Sequence, residues 1–155
     1  MAATMLFAVE NRLAKAVQSE TGPRICDLVA AADRRLETMS ESTRRFVAGK
    51  LDELAPYAGA SNDTLLGEFG VIARIASHIA GVADAGGLKA IGAITQGIVA
   101  MADSWASDGL WHAGALRLHL DSLGLASSVG GELRDQDQKV LDGLRAMRMA
   151  IGVRE

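Results

Sequence analysis

The residues that could perform chemistry concentrate near the middle of the chain, where Arg74, Ser77 and His78 lie close together. An exposed histidine titrates near neutral pH and can accept and pass a proton or a phosphoryl group. His78 is therefore the candidate catalytic residue. His112 follows 34 residues after His78, and His119 follows 7 residues after His112. These spacings suggest no local pair of metal ligands. We expect His112 to cap a helix or simply to be exposed, and His119 to pack or hydrogen-bond between helices.

Composition argues against several other kinds of site. Cys26 is the only cysteine, so neither an internal disulfide nor a Cys/His metal cluster is expected. No G-x-S-x-G nucleophile motif is present. The net charge of −3 gives no electrostatic case for nucleic acid. We therefore expect no metal, no cofactor and no nucleic-acid partner, and an enzyme acting on small molecules ranks behind a binding protein.

The same composition favours helices in a cytoplasmic protein. Aromatic residues make up only 4% of the chain, and the two prolines leave long stretches in which a helix can run unbroken. No apolar segment reaches the 18 residues of a membrane span, so no membrane partner is expected. The amino terminus lacks the basic stretch and long apolar run of a secretion signal, which points to the cytoplasm.

Apolar residues recur with the 3.6-residue period of amphipathic helices along the whole chain. We predict a first helix within domain 1–22, followed by a helical domain over 23–155. A second helix is predicted to end near Met39, and a third to start at Ser40 or Ser42 and end at Pro56. The predicted fold is all-α: an antiparallel four-helix bundle built from the third to the last helices, with the first two as an extension or a pairing surface.

The fourth predicted helix, Leu65–Ala83, carries the candidate chemistry on its outer half. With Ile72 at the centre of the buried side, the opposite side carries six residues: Gly67, Gly70, Arg74, Ser77, His78 and Gly81. Glycine on an exposed helix face destabilises the helix by roughly 0.5–1 kcal/mol relative to alanine. Three explanations stay open: a neighbouring helix packs tightly on this face, a partner docks there, or the glycines arose by drift.

The segment around Ser77 resembles the central motif of histidine phosphotransfer (Hpt) domains, in particular the chemotaxis-associated, Hpt-like type of alphaproteobacteria. In that motif an exposed histidine is followed by an apolar residue at +2, lysine at +3, glycine at +4 and a second glycine at +10. Here Ile79, Gly81 and Gly87 match the apolar residue and the two glycines. Further stretches, 36–40, 119–123 and 141–147, are also similar, so the resemblance covers residues 30–150.

Two positions depart from the motif. The alignment puts Ser77 where the family has its phosphorylated histidine, and Ala80 where it has lysine. His78 lies one residue away, which is roughly 100° around a helix. The resemblance therefore implies either a relay through His78 with an altered docking angle or, as we prefer, a pseudo-Hpt module that binds without transferring.

The resemblance implies a two-component signal-transduction protein that binds a response-regulator receiver domain or a histidine kinase. Its partner-binding residues would be Gly70, Arg74, Ser77 and Gly81, with His78 as the phosphoacceptor if transfer occurs. The alternative is a helical structural protein that self-associates without a phosphotransfer role, and a homodimer is compatible with either.

Overall fold

The computed structural model describes residues 24–130 and 135–153 of the chain, and every regular element in these ranges is helical. The all-α prediction is confirmed for this part of the chain. The predicted helix in domain 1–22 lies outside the described residues. The described helices are α1 (Ile25–Ala58), α2 (Asn62–Gly67), α3 (Phe69–Ala80), a 3-10 turn (Ala83–Gly86), α4 (Lys89–Asp108), α5 (Ala113–Ser128) and α6 (Asp135–Ala150).

Helix α1 joins what we predicted as the second and third helices. The predicted break at Ser40 or Ser42 is wrong, because α1 runs on through both residues. Serine and threonine can satisfy their hydroxyls within a helix by bonding to the preceding turn, as Thr38 Oγ1 does to the Arg34 carbonyl at 2.9 Å. The predicted end at Pro56 is also two residues too early.

The chain divides into two units between Thr38 and Met39. In the first unit, residues 25–38 are helical, and their large apolar side chains are exposed: Ile25, Leu28, Val29 and Leu36. The second unit contains the hydrophobic core.

Helix α4 is the central element of the second unit, because α3, α5 and α6 all pack against it. Its buried side includes Ile91, Ile94 and Ile98. Val47 and Leu54 of α1 are also buried in this core. These helices leave α3 with one face against α4 and the other open to solvent.

The predicted helix Leu65–Ala83 is interrupted at Glu68, so α2 and α3 are separate. Ser61 caps the start of α2 by accepting a hydrogen bond from the Thr64 amide at 3.1 Å. Glu68 has φ −99° and ψ 6°, outside the helical region, and α3 begins at the next residue. At the other end α3 stops at Ala80, and Ala83 belongs to the 3-10 turn. Gly67 is therefore not part of the face formed by α3.

Candidate functional site

Five exposed residues on α3 and at its carboxyl end form the candidate site. They are Gly70, Arg74, Ser77, His78 and the C-cap residue Gly81, and we call them the α3 outer face. On a helical wheel they span an arc of about 100°. The opposite side of α3 is buried and apolar, formed by Phe69, Ile72, Ile75, Ala76 and Ile79. The exposure predicted for these five residues is confirmed.

Aromatic packing at the start of α3 fixes the direction of this face. Phe69 is buried, and its ring meets Trp105 and Trp111 edge-on at centroid distances of 5.3 and 5.0 Å. Edge-to-face pairs of this kind stabilise a packed core beyond their area alone. Because Trp105 belongs to α4 and Trp111 precedes α5, Phe69 holds α3 against both neighbours.

The glycines of the outer face are not required by packing within the described part of the chain. A Cβ atom built on Gly70 would meet nothing within 4 Å. One built on Gly81 would approach only α3's own backbone, with the Ser77 carbonyl oxygen nearest at 3.5 Å. Tight packing by another described helix is therefore excluded as their explanation, and docking and drift stay open. Gly49 and Gly143 on other helices are equally open, so an open glycine does not by itself distinguish α3.

His78 is exposed, as phosphoryl transfer would require. No described residue forms a hydrogen bond or salt bridge with its ring. It lies in the last turn of α3, where the free carbonyl groups carry partial negative charge. Arg74, the cation of the outer face, is one turn earlier in the helix. The site therefore presents an exposed histidine that no described residue hydrogen-bonds, with one cation a turn away on the same face.

The other two histidines have contrasting environments. His112 occupies the N-cap position of α5 and is exposed, and its side chain makes no capping hydrogen bond. His119 is fully buried, and its Nδ1 lies 2.9 Å from the Ala115 carbonyl oxygen, to which it donates. Its Nε2 accepts a hydrogen bond from Arg148 at 3.1 Å. The predicted hydrogen bond of His119 between helices is confirmed.

Burial keeps the His119 ring neutral. Desolvation lowers the pKa of His119 to about 4, and the nearby charge of Arg148 acts in the same direction. The hydrogen bond to Ala115 opposes this shift. The ring therefore has one protonated nitrogen, Nδ1, and one acceptor nitrogen that faces the guanidinium of α6.

Sequence reasoning missed a cleft between α4 and α6. It has a volume of about 630 Å³. Its lining includes Arg148, which contacts His119. We call it the α4–α6 cleft, and its described lining is Lys89, Ala93, Gln96, Gly97, Ala100, Gln138, Leu141, Asp142, Arg145 and Arg148. One signal was available: Arg148 falls one turn after Leu144 on the buried side of its helix, where a charged residue is unusual.

Neither metal ligands nor related proteins identify the site. Among residues 24–130 and 135–153, no group of three His, Cys, Asp or Glu side chains could hold a metal ion. In the same ranges no helix has the length and apolar character needed to cross a membrane. No family model, no curated protein and no solved structure matches the chain.

Proposed function

We propose that the chain is a two-component signalling adaptor, a pseudo-Hpt module that binds a receiver domain or a histidine kinase without transferring a phosphoryl group. The observation that carries the proposal is the α3 outer face, which combines small residues, Arg74, Ser77 and His78 on one exposed surface. Small residues permit close approach of a partner to the helix backbone.

We propose further that four helices of the second unit form the Hpt-like bundle. These are α3, α4, α5 and α6, since α3, α5 and α6 all pack against α4 and α6 also packs against α5. Short connections join α3 to α4 and α4 to α5, and packed helices joined in this way run antiparallel. Arg44 of α1 donates a hydrogen bond to the Gly86 carbonyl at 2.8 Å, which ties α1 to the connection between α3 and α4.

The environment of the motif residues supports binding without transfer. Ser77, at the position of the family's histidine, is exposed, and Ala80 supplies no cation at the position of its lysine. A phosphoryl group on His78 would add negative charge beside the carbonyl end of α3, where the helix dipole disfavours it. The outer face is therefore better suited to contact than to phosphotransfer.

The phosphotransfer question has a direct test. The purified protein is mixed with each phosphorylated receiver domain of its organism, and both binding and acid-labile label are measured. The proposal predicts binding by at least one receiver or kinase and no label on His78. A label that is lost in His78→Gln would establish a true relay and contradict the binding-only form. Absence of both label and binding across all receivers and kinases would overturn the signalling function.

Enlarging Gly70 should weaken docking without disturbing the fold. In Gly70→Leu the new side chain would project into open space and hold a partner away from the α3 backbone. We expect Kd to rise at least tenfold, which corresponds to about 1.4 kcal/mol. Titration calorimetry provides the measurement. The matched control is Gly49→Leu, another exposed helical glycine with nothing within 4 Å of its Cβ position. An equal effect of both substitutions would contradict a docking role for Gly70.

One observation favours the alternative of a self-associating helical protein. The first unit exposes Ile25, Leu28, Val29 and Leu36, each more than half accessible to solvent. Exposed apolar patches commonly mark contacts with another protein. Sedimentation velocity separates the two functions. A dimer that dissociates in Leu36→Asp, in a protein that binds no receiver or kinase, would favour the structural role.

A further inference from the structure

We propose that segment 1–22 folds back on α1 as an antiparallel helix and covers an apolar stripe of the first unit. The stripe consists of Ile25, Val29, Ala32 and Leu36, which are all exposed, and we call it the α1 stripe. Both the segment and the stripe precede the end of the first unit at Thr38. The proposal therefore concerns this unit alone, and it does not depend on the signalling function.

The spacing of the α1 stripe fits a helical partner. Its residues follow one another at steps of four, three and four along a continuous helix. Apolar residues at this spacing form a seam that runs along one side of the helix, and such seams pack against the corresponding seam of a second helix. The α1 stripe therefore calls for another amphipathic helix rather than for a small molecule.

Segment 1–22 carries an apolar stripe of the same length. Its members are Leu6, Val9, Leu13 and Val17. Leu6 and Val17 are 11 residues apart, as are Ile25 and Leu36. In helical conformation each stripe is about 16 Å long, at 1.5 Å per residue. The two stripes can therefore cover each other from end to end.

The two stripes also match in an antiparallel register. In a hairpin centred on Thr21, apolar residues at equal distances from the turn face each other. The facing pairs are Val17 with Ile25, Leu13 with Val29, Val9 with Ala32, and Leu6 with Leu36. Only the pair of Val9 and Ala32 is displaced, by one residue. This register buries every member of the α1 stripe.

The residues between the stripes supply the turn that a hairpin requires. The seven residues 18–24 connect Val17 to Ile25, and connections between packed helices commonly have two to eight residues. Gly22 is suited to end a helix, and Pro23 disfavours helical conformation in the residue before it. Since α1 begins at Ile25, directly after this turn, the segment is placed beside the start of the stripe.

The length of the α1 stripe favours a segment of the same chain over a second copy. Stable interfaces between separate proteins involve about 20–30 residues on each side, whereas the α1 stripe has four. A tethered segment pairs at a high effective concentration and loses little translational freedom, so a short seam is sufficient. A second copy is therefore the outcome that would contradict the proposal.

Disulfide cross-linking tests the register. Cys26, the single cysteine of the chain, is first replaced by serine. Leu6→Cys is then combined with Leu36→Cys, which the hairpin places face to face. The matched control combines Leu6→Cys with Arg34→Cys, because residue 34 is exposed on the opposite side of α1. We expect the first pair to form an intramolecular disulfide at least tenfold faster than the control, at a rate independent of protein concentration.

Hydrogen exchange supplies a second readout that leaves the facing ends unchanged. Leu13→Asp places a charge in the seam and should raise the exchange rates of amides 25–36 at least tenfold. Lys15→Asp, on the other side of the predicted helix, should leave these rates unchanged. Both tryptophans lie in the second unit, and their unchanged fluorescence would show that its core is intact in Leu13→Asp.

Three results would overturn the proposal. Disulfides formed between two molecules would assign the α1 stripe to a second copy and favour the self-associating alternative. Equal rates in the two cysteine pairs would contradict the register. Equal exchange in Leu13→Asp and Lys15→Asp would show that the segment does not cover the stripe. None of these results bears on docking at the α3 outer face, so the two proposals fail separately.

Discussion

Phe69→Ala is expected to lower the free energy of unfolding by about 3–5 kcal/mol, the range for removing a buried phenylalanine ring. Phe69 is 2% exposed and lies between Trp105 and Trp111. Removing the ring leaves a cavity where α3, α4 and the segment before α5 meet, and it also removes two edge-to-face contacts. The loss should loosen α3 and with it the outer face.

Urea unfolding followed by circular dichroism measures the change, and fluorescence supplies a second readout. The chain has only two tryptophans, both in contact with Phe69, so the variant should show red-shifted emission. Leu118→Ala is the control, because Leu118 is 48% exposed and its removal leaves no closed cavity. Similar losses in the two variants would contradict the position assigned to Phe69.

Lowering the pH from 7 to 4 is expected to remove about 3 kcal/mol of stability through His119 alone. The pKa of His119 is lowered to about 4 in the folded protein from 6.5 in the unfolded chain, and each pKa unit corresponds to about 1.4 kcal/mol. Between these two values the unfolded chain binds the proton more readily. The stability is therefore fully present above pH 6.5 and declines as the pH falls towards 4.

The difference between variants isolates this contribution from that of the carboxylates. In His119→Gln the loss of stability between pH 7 and pH 4 should be smaller than in the wild type by about 3 kcal/mol, since glutamine does not titrate. His112→Gln, at an exposed position, should retain the wild-type dependence. If the stability of His119→Gln depends on pH as steeply as that of the wild type, His119 is not neutral and buried at pH 7.

The periodicity of the apolar residues predicted the presence of helices better than the residues at which they begin and end. The apolar stripes correctly indicated that residues 24–130 and 135–153 contain only helical elements, because burial of one helix face imposes the 3.6-residue period. The boundaries depended on weaker local signals. Ser40 and Ser42 are good capping residues, but nothing near them prevents α1 from continuing. Glu68 interrupts the helix, and the only sequence signal at the break is Gly67 directly before it, which a helix can also accommodate.

The sequence predicts the α3 outer face but not the α4–α6 cleft. The α3 outer face lies within one helix and its cap, so a helical wheel was enough to predict which residues are exposed. The α4–α6 cleft depends on Gly97, His119 and Arg148, which lie on three different helices. Their convergence follows from tertiary packing, and no spacing along the chain encodes it.

The central claim is that the α3 outer face is a docking surface, and an NMR titration tests it most directly. The ¹⁵N-labelled protein is titrated with unlabelled receiver domains and histidine-kinase domains of its organism, with and without phosphorylation. We predict that the largest shift changes fall at Gly70, Arg74, Ser77, His78 and Gly81, and that Gly70→Leu raises the Kd obtained from the titration at least tenfold. Shift changes confined to other surfaces, or none with any receiver or kinase domain, would contradict the claim.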